Sequence, residues 1–194
     1  SSAASDVYKR QYHGYGLAWA NASNTPFREY KHWVHEGGIS SPLVVHWPKG
    51  ITVQGTWTDQ PGHLIDIMAT VLEVSGAQYP RTFDGRQVIP LEGKSLLPIF
   101  RDTSRQGHET LFWNQRGLWR AVRMGNWKLV SPDHSIQYNP WRADRRGREV
   151  QDPPTDPHSL WKLYDKRTDR TERNNLSGAH PDRVKQMIGM YHSL

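Results

Sequence analysis

Pro42-Leu43-Val44-Val45-His46-Trp47-Pro48 and, ten residues later, Thr58-Asp59-Gln60-Pro61-Gly62-His63-Leu64-Ile65-Asp66-Ile67-Met68-Ala69-Thr70-Val71-Leu72-Glu73-Val74-Ser75-Gly76 are the two segments that decide the fold class. The first is a short apolar run between prolines, the pattern of a strand buried on both faces. The second offers Thr58-Asp59 as an N-cap and Pro61 in a first turn. Leu64, Ile67, Met68, Val71 and Leu72 follow at helical spacing, and Gly76 stops the run. A buried strand followed by an amphipathic helix indicates an α/β unit. Upstream, residues 12–41 mix glycine, asparagine, aromatics and charges with no clear period and read as a long, shaped loop.

The second half has a different pattern. Gly125-Asn126 between strand-like runs in 118–130 is a two-residue hairpin signal, and Leu160-Trp161-Lys162-Leu163-Tyr164 alternates as a half-buried strand. Residues 132–157, rich in Pro, Asp and Arg, read as a long excursion. Pro181 begins a helix over 181–192 that carries Val184, Met187, Ile188 and Tyr191 on one face. These features predict a small antiparallel sheet with a terminal helix, an α+β appendage.

Composition narrows the chemistry. The 194 residues contain no cysteine, so disulfides, Cys-type zinc sites and thiol catalysis are excluded. No apolar run is long enough to span a membrane. Residues 1–100 balance 8 basic against 8 acidic side chains, while 101–194 hold 17 against 11, so the net charge of +6 arises in the second half. Arg142, Arg145, Arg146 and Arg148 could grip a polyanion, but Asp144 and Glu149 are interleaved with them and favour a solvated loop. A nucleic-acid partner is not expected.

The candidate site is Asn24-Thr25-Pro26-Phe27-Arg28-Glu29-Tyr30-Lys31-His32-Trp33-Val34-His35-Glu36-Gly37-Gly38, directly before the apolar run. Lys31 is the candidate cation for an anionic substrate, and Gly37-Gly38 permits a tight turn or a close backbone approach. His32 and His35, three residues apart, either line a pocket or pack against Trp33. Trp19 and Asn24 stand in the stretch before the lysine, where an aromatic face suits a sugar or aryl group and packing is the alternative.

From Tyr12 to Phe100 the chain resembles the closing part of the catalytic domain of the arylsulfatases, in the alkaline phosphatase-like superfamily. Lys31 five residues before Glu36-Gly37-Gly38, the run from Ser41 to Trp47, and the segment from Asp59 to Gly76 carry the resemblance. Gly93-Lys94-Ser95-Leu96 before a Leu-Pro, the Gly-Asn-Trp-Lys-Leu hairpin, Leu163-Tyr164-Asp165 and Asn174-Asn175-Leu176-Ser177 extend it. The implied fold is α/β, the C-terminal portion of an alkaline phosphatase-like sulfatase domain, plus a small α+β antiparallel-sheet subdomain. The implied activity is hydrolysis of a sulfate monoester on a sulfated small molecule or carbohydrate, with Lys31 binding the sulfate and Glu36, Gly37 and Gly38 shaping the turn that aims it. A phosphoester or phosphonate hydrolase of the same superfamily, or a basic polyanion-binding module, is the alternative.

The resemblance also implies a formylglycine nucleophile and a calcium ion. Their motifs do not occur here: there is no Cys, Ser-x-Pro/Ala-x-Arg, Asp-Asp pair or Asp-Asn-Gly. No metal ligand is therefore assigned in this chain, and both groups are expected in an N-terminal part of the same protein. Without that part the chain is expected to be inactive and to expose apolar surface. Asp6 to Gln11, DVYKRQ, is the translation of a transposase adapter used in sequencing libraries, so residues 1–11 are expected to be an artefact of a cut, metagenome-type fragment. Residues 12–104 then form the end of the catalytic domain and 105–194 the C-terminal subdomain. The full-length protein is expected in the periplasm or outside the cell.

Overall fold

A computed structural model describes residues 16–52, 55–101, 105–115, 119–131 and 160–193. The elements are α1 (Gly16–Ala22), α2 (Glu36–Ile39), α3 (Asp66–Ser75), β1 (Thr82–Phe83), β2 (Arg86–Gln87), α4 (Leu97–Phe100), β3 (Thr110–Gln115), β4 (Trp119–Met124), β5 (Trp127–Val130), β6 (Lys162–Asp165) and α5 (Pro181–His192). They fall into two compact units, residues 1–42 with 110–194, and residues 43–109. The adapter-like start, the excursion at 132–157 and the four clustered arginines lie outside the described residues.

The first unit is built on a four-stranded antiparallel sheet in the order β3-β4-β5-β6. The β4–β5 hairpin turns at Gly125-Asn126, where Gly125 takes φ +56°, the backbone that glycine supplies most cheaply at the first turn position. Alternation then divides the side chains between two faces. Val122, Leu129 and Leu163, aligned across three strands, meet Trp161 and the α5 residues Val184, Met187 and Ile188. On the opposite face Ala121, Val130 and Tyr164 pack with Val34. The helix and strand anticipated at 181–192 and 160–164 are α5 and β6. Strand β3, which gave no turn signal of its own, forms by pairing residue for residue with β4.

In the second unit two expectations are corrected. Leu43–Trp47 forms no strand: Leu43 and Val44 are 58% and 89% exposed, and among the described residues no strand pairs with this run. An apolar run becomes a strand only when a neighbour completes its ladder. The helix begins at Asp66 rather than near Asp59, because the buried Asp66 carboxylate draws the preceding chain into a turn. Its Oδ2 accepts from the His63 amide at 2.8 Å and Oδ1 from the Lys94 amide at 2.8 Å. Arg105 Nη2 donates to Oδ2 at 2.9 Å and His108 Nε2 to Oδ1 at 2.6 Å. Thr70 Oγ1 in turn accepts from the Leu96 amide at 2.9 Å, fastening α4 to α3. Asp84-Gly85, both at positive φ, closes the small β1–β2 hairpin, a turn signal present in the sequence and not used above. The loop expected over 12–41 contains α1 and the single turn α2.

One face of the second unit is apolar and exposed. Ile67, Met68, Val71 and Val74 line α3 on that side, and Trp57 is 98% exposed.

Two outcomes are expected in urea titrations of the chain. Met187→Ala lowers stability by about 2–5 kcal/mol through the cavity it leaves, whereas Val71→Ala on the exposed face of α3 changes it by no more than about 0.5 kcal/mol; equal midpoint shifts would contradict this core. Burial alone raises the Asp66 pKa, but the His108, Lys94, His63 and Arg105 hydrogen bonds outweigh it and hold the carboxyl at about 2. The stability this contributes is present above the ordinary value of 3.8 and is lost as pH falls through 2. Asp66→Asn should remove that acid dependence and cost on the order of 3–5 kcal/mol, since it leaves the Arg105 guanidinium buried and unpaired.

Candidate functional site

The segment that carries Lys31 is folded back on itself. Gly37 donates its amide to the Arg28 carbonyl at 2.9 Å, and Trp33 donates to the Tyr30 carbonyl at 3.0 Å. A Cβ at Gly37 would stand 2.1 Å from the Glu29 carbonyl oxygen, and one at Gly38 2.1 Å from that of Trp33. Both glycines are therefore required by close backbone approach rather than by positive φ. The positive φ values fall instead on Glu29 (+65°) and His32 (+87°), on either side of Tyr30-Lys31. Non-glycine residues hold such angles only where their surroundings over-determine them.

Asn21 Oδ1 accepts the Glu29 amide at 3.2 Å, and the far end of the segment enters a buried cluster of charges. Lys128, on the β5 face shared with Val130, has no exposed surface, and its Nζ lies 2.7 Å from Glu36 Oε1 and 2.6 Å from Glu172 Oε1. Lys166 Nζ adds longer contacts of 3.5 Å and 3.7 Å to the same two oxygens and donates to the Arg170 carbonyl at 2.8 Å. Glu172 Oε2 is 2.6 Å from His35 Nδ1 and accepts from the Glu36 amide at 3.2 Å. Glu172 itself is at φ +57°. The turn that presents it is tied by Asp169, whose Oδ2 accepts from the Arg173 and Asn174 amides, both at 2.8 Å.

Electrostatics fixes the proton positions. Burial alone would raise the Glu172 pKa, but the His35 hydrogen bond and the charges of Lys128 and His35 bring it down to about 2. Glu172 is thus a carboxylate that only accepts, so the His35 Nδ1 carries the hydrogen and donates. Burial pulls Lys166 below the ordinary lysine range, partly offset by Glu36 and Glu172. Each carboxylate of the cluster thus faces cationic partners at short range, Glu36 the two lysines and Glu172 the two lysines and His35, as buried ions require.

The residues singled out from the sequence separate. Lys31 is exposed, and among the described residues no hydrogen bond or ion pair engages its ammonium. His32 is exposed beside it and accepts at Nδ1 from Gln115 Nε2 at 3.5 Å. His35 and Glu36 are buried in the charge cluster. Asn24 donates from Nδ2 to the Ala20 carbonyl at 2.8 Å, so its amide closes the end of α1. Trp19 is 69% exposed on α1. The reading from sequence does not single out Lys128, Lys166 or Glu172: a lysine between Trp127 and Leu129 fits the ordinary alternation of a half-buried strand, and its burial shows only in the structure. Among the described residues no group of three or more His, Cys, Asp or Glu side chains could hold a metal ion. The carboxylates that cluster with cations are already engaged, Glu36 and Glu172 by lysines and Asp66 by Arg105. Among the described residues, no set of side chains is thus left to hold the calcium implied by the resemblance.

Comparison with known proteins identifies the family. Residues 28–138 match the family described as N-sulphoglucosamine sulphohydrolase, C-terminal, a match that begins just before Lys31 and includes Lys128. A protein of Schizosaccharomyces pombe described as an uncharacterized sulfatase is 31% identical over 182 residues, 90% of this chain and 28% of that protein. The steryl-sulfatase of Mus musculus is 36% identical over 109 residues, 56% of this chain and 16% of its own length. The crystal structure of Ps i-CgsB shares the fold, with a TM-score of 0.58 at 19% identity, covering 88% of this chain and 32% of that one. This chain thus spans less than a third of the length of the curated relatives named here. Because the family match extends over more than half of its residues, the chain belongs to the sulfatases, in the family of N-sulphoglucosamine sulphohydrolase C-terminal regions.

Proposed function

We propose that this chain is the C-terminal part of an enzyme that hydrolyses a sulfate monoester, and that Lys31 is its sulfate-binding cation. The observation that carries the reading is the placement of Lys31: an unengaged ammonium on a segment whose backbone is held by Gly37, Gly38 and a buried charge cluster. Sulfuryl transfer gathers negative charge on the nonbridging and leaving oxygens. A fixed ammonium beside them stabilises the transition state more than the ground state and needs no proton transfer of its own. His32 and Trp19, exposed in the same unit, are the residues available to contact the remainder of a sulfated small molecule or carbohydrate.

In this reading residues 12–104 close the catalytic domain, 105–194 form the C-terminal subdomain, and the nucleophile and calcium belong to an N-terminal part of the same protein. That part is also the partner for the exposed apolar face of Ile67, Met68, Val71 and Val74. Sulfated substrates of the polysaccharide kind suit a periplasmic or extracellular enzyme. Among the described residues no helix is long and apolar enough to cross a membrane.

Two measurements test the reading. The purified 194-residue chain should release no chromophore from an aryl sulfate, with or without calcium; calcium-dependent turnover by the chain alone would contradict it. In the complete protein, with its formylglycine confirmed by mass spectrometry, Lys31→Ala should lower kcat/KM by about 10²–10³-fold, the scale of losing one oxyanion donor. Lys31→Arg should restore only part of this, because a planar fork does not replace a compact ammonium. His32→Ala should cost less than Lys31→Ala. Near-parental turnover in Lys31→Ala would refute the assignment.

A further inference from the structure

We infer that Glu172, acting through His35 and Glu36, is the positioning residue that holds Lys31 in its working geometry, so that the subdomain's last turn sets the catalytic power of a lysine 141 positions earlier in the chain. The inference rests on the reading of Lys31 as the sulfate-binding cation.

Lys31 itself is tethered by nothing among the described residues, so its position is that of its backbone. That backbone is unfavourable in isolation, with Glu29 and His32 both in the left-handed region. Something outside the loop must therefore enforce it. The far end of the segment, Val34 to Glu36, is buried, and two carboxylates hold it: Glu36 itself meets Lys128 at 2.7 Å, and Glu172 reaches in from the turn after β6. Glu172 Oε2 takes the His35 imidazole at 2.6 Å and the Glu36 amide at 3.2 Å, fixing two consecutive residues at the start of α2. Its other oxygen meets Lys128 on β5 at 2.6 Å, so the anchor is itself bolted to the sheet. Arg28 closes the loop from its near end by donating from Nη1 to the Glu172 carbonyl at 3.3 Å, and the Arg170 guanidinium covers the Phe27 ring at 5.7 Å. Both ends of the Lys31 loop thus converge on residues 170–172. Gly37 and Gly38 then transmit the position, since their backbone contacts with residues 28–33 leave no room for a Cβ.

A residue that merely stabilises the fold would lower activity equally with or without Lys31. A residue that acts by aiming Lys31 loses its effect once Lys31 is gone. The test is a double-mutant cycle in the complete, formylglycine-bearing protein, with steady-state turnover of an aryl sulfate measured where circular dichroism shows each variant folded. Glu172→Gln is expected to lower kcat/KM by about 10- to 100-fold, as small displacements of a catalytic group do, and to change it less than about twofold in the Lys31→Ala background. His35→Ala and His35→Asn provide the second arm should Glu172→Gln not fold. His35→Asn retains an amide donor for Glu172 and should keep most activity that His35→Ala loses. Parental turnover in Glu172→Gln beside a large loss in Lys31→Ala, an equal loss in both backgrounds, or identical behaviour of the two His35 variants would overturn the inference alone. Parental turnover in Lys31→Ala would overturn the sulfate-binding reading and the inference with it.

Discussion

The contact between Lys128 and Glu172, two fully buried opposite charges 2.6 Å apart, is the constraint on which the first unit depends. Neither ion tolerates burial alone, because the desolvation of a single charge is worth several kcal/mol and only a partner offsets it. The pair must therefore form, and forming it dictates geometry. It requires β5 to present a lysine toward the face opposite α5, the turn after β6 to swing a glutamate inward at positive φ, and the segment at 35–36 to fill the remaining valences of that glutamate. A hydrophobic cluster of the same volume would bury as much area but would not specify which three segments meet. Here the ionic arrangement does so, and the loop bearing Lys31 is the segment whose course it decides.

Asp66 solves the same problem in the second unit. A buried carboxylate at the start of α3 gathers two backbone amides, a guanidinium and an imidazole from positions 63–108. In both units a carboxylate thus organises loops rather than binding a metal.

How much of this was legible from the sequence followed the range of the interactions. The Gly125-Asn126 hairpin and α5 are fixed by neighbours within a few positions, by a turn glycine and by apolar residues at helical spacing, and both stand as the pattern predicts. Lys31 and the double glycine were visible through the family resemblance. Leu43–Trp47 was misjudged because a ladder needs a second strand, which no local pattern supplies. The start of α3 falls later than Thr58-Asp59, which resembles a cap, because the carboxylate that governs the turn is Asp66; it takes the local His63 amide, but its other partners stand 28 and more positions away. Glu172 is illegible because it lies in a polar stretch that reads as solvated turn, and its closest side-chain partners, Lys128 and His35, stand 44 and 137 positions away. Lys128 is no more legible, because between Trp127 and Leu129 it reads as the solvent-facing residue of an alternating strand.

The central claim is that this segment delivers an ammonium to the sulfuryl group. Its most direct test is a crystal structure of the complete protein with a sulfate ester or vanadate at the nucleophile. The account predicts the Lys31 Nζ about 3 Å from a nonbridging oxygen of the bound group, with the His35–Glu172 contact intact behind it. A bound anion held by a different cation, with Lys31 directed to solvent, would contradict it.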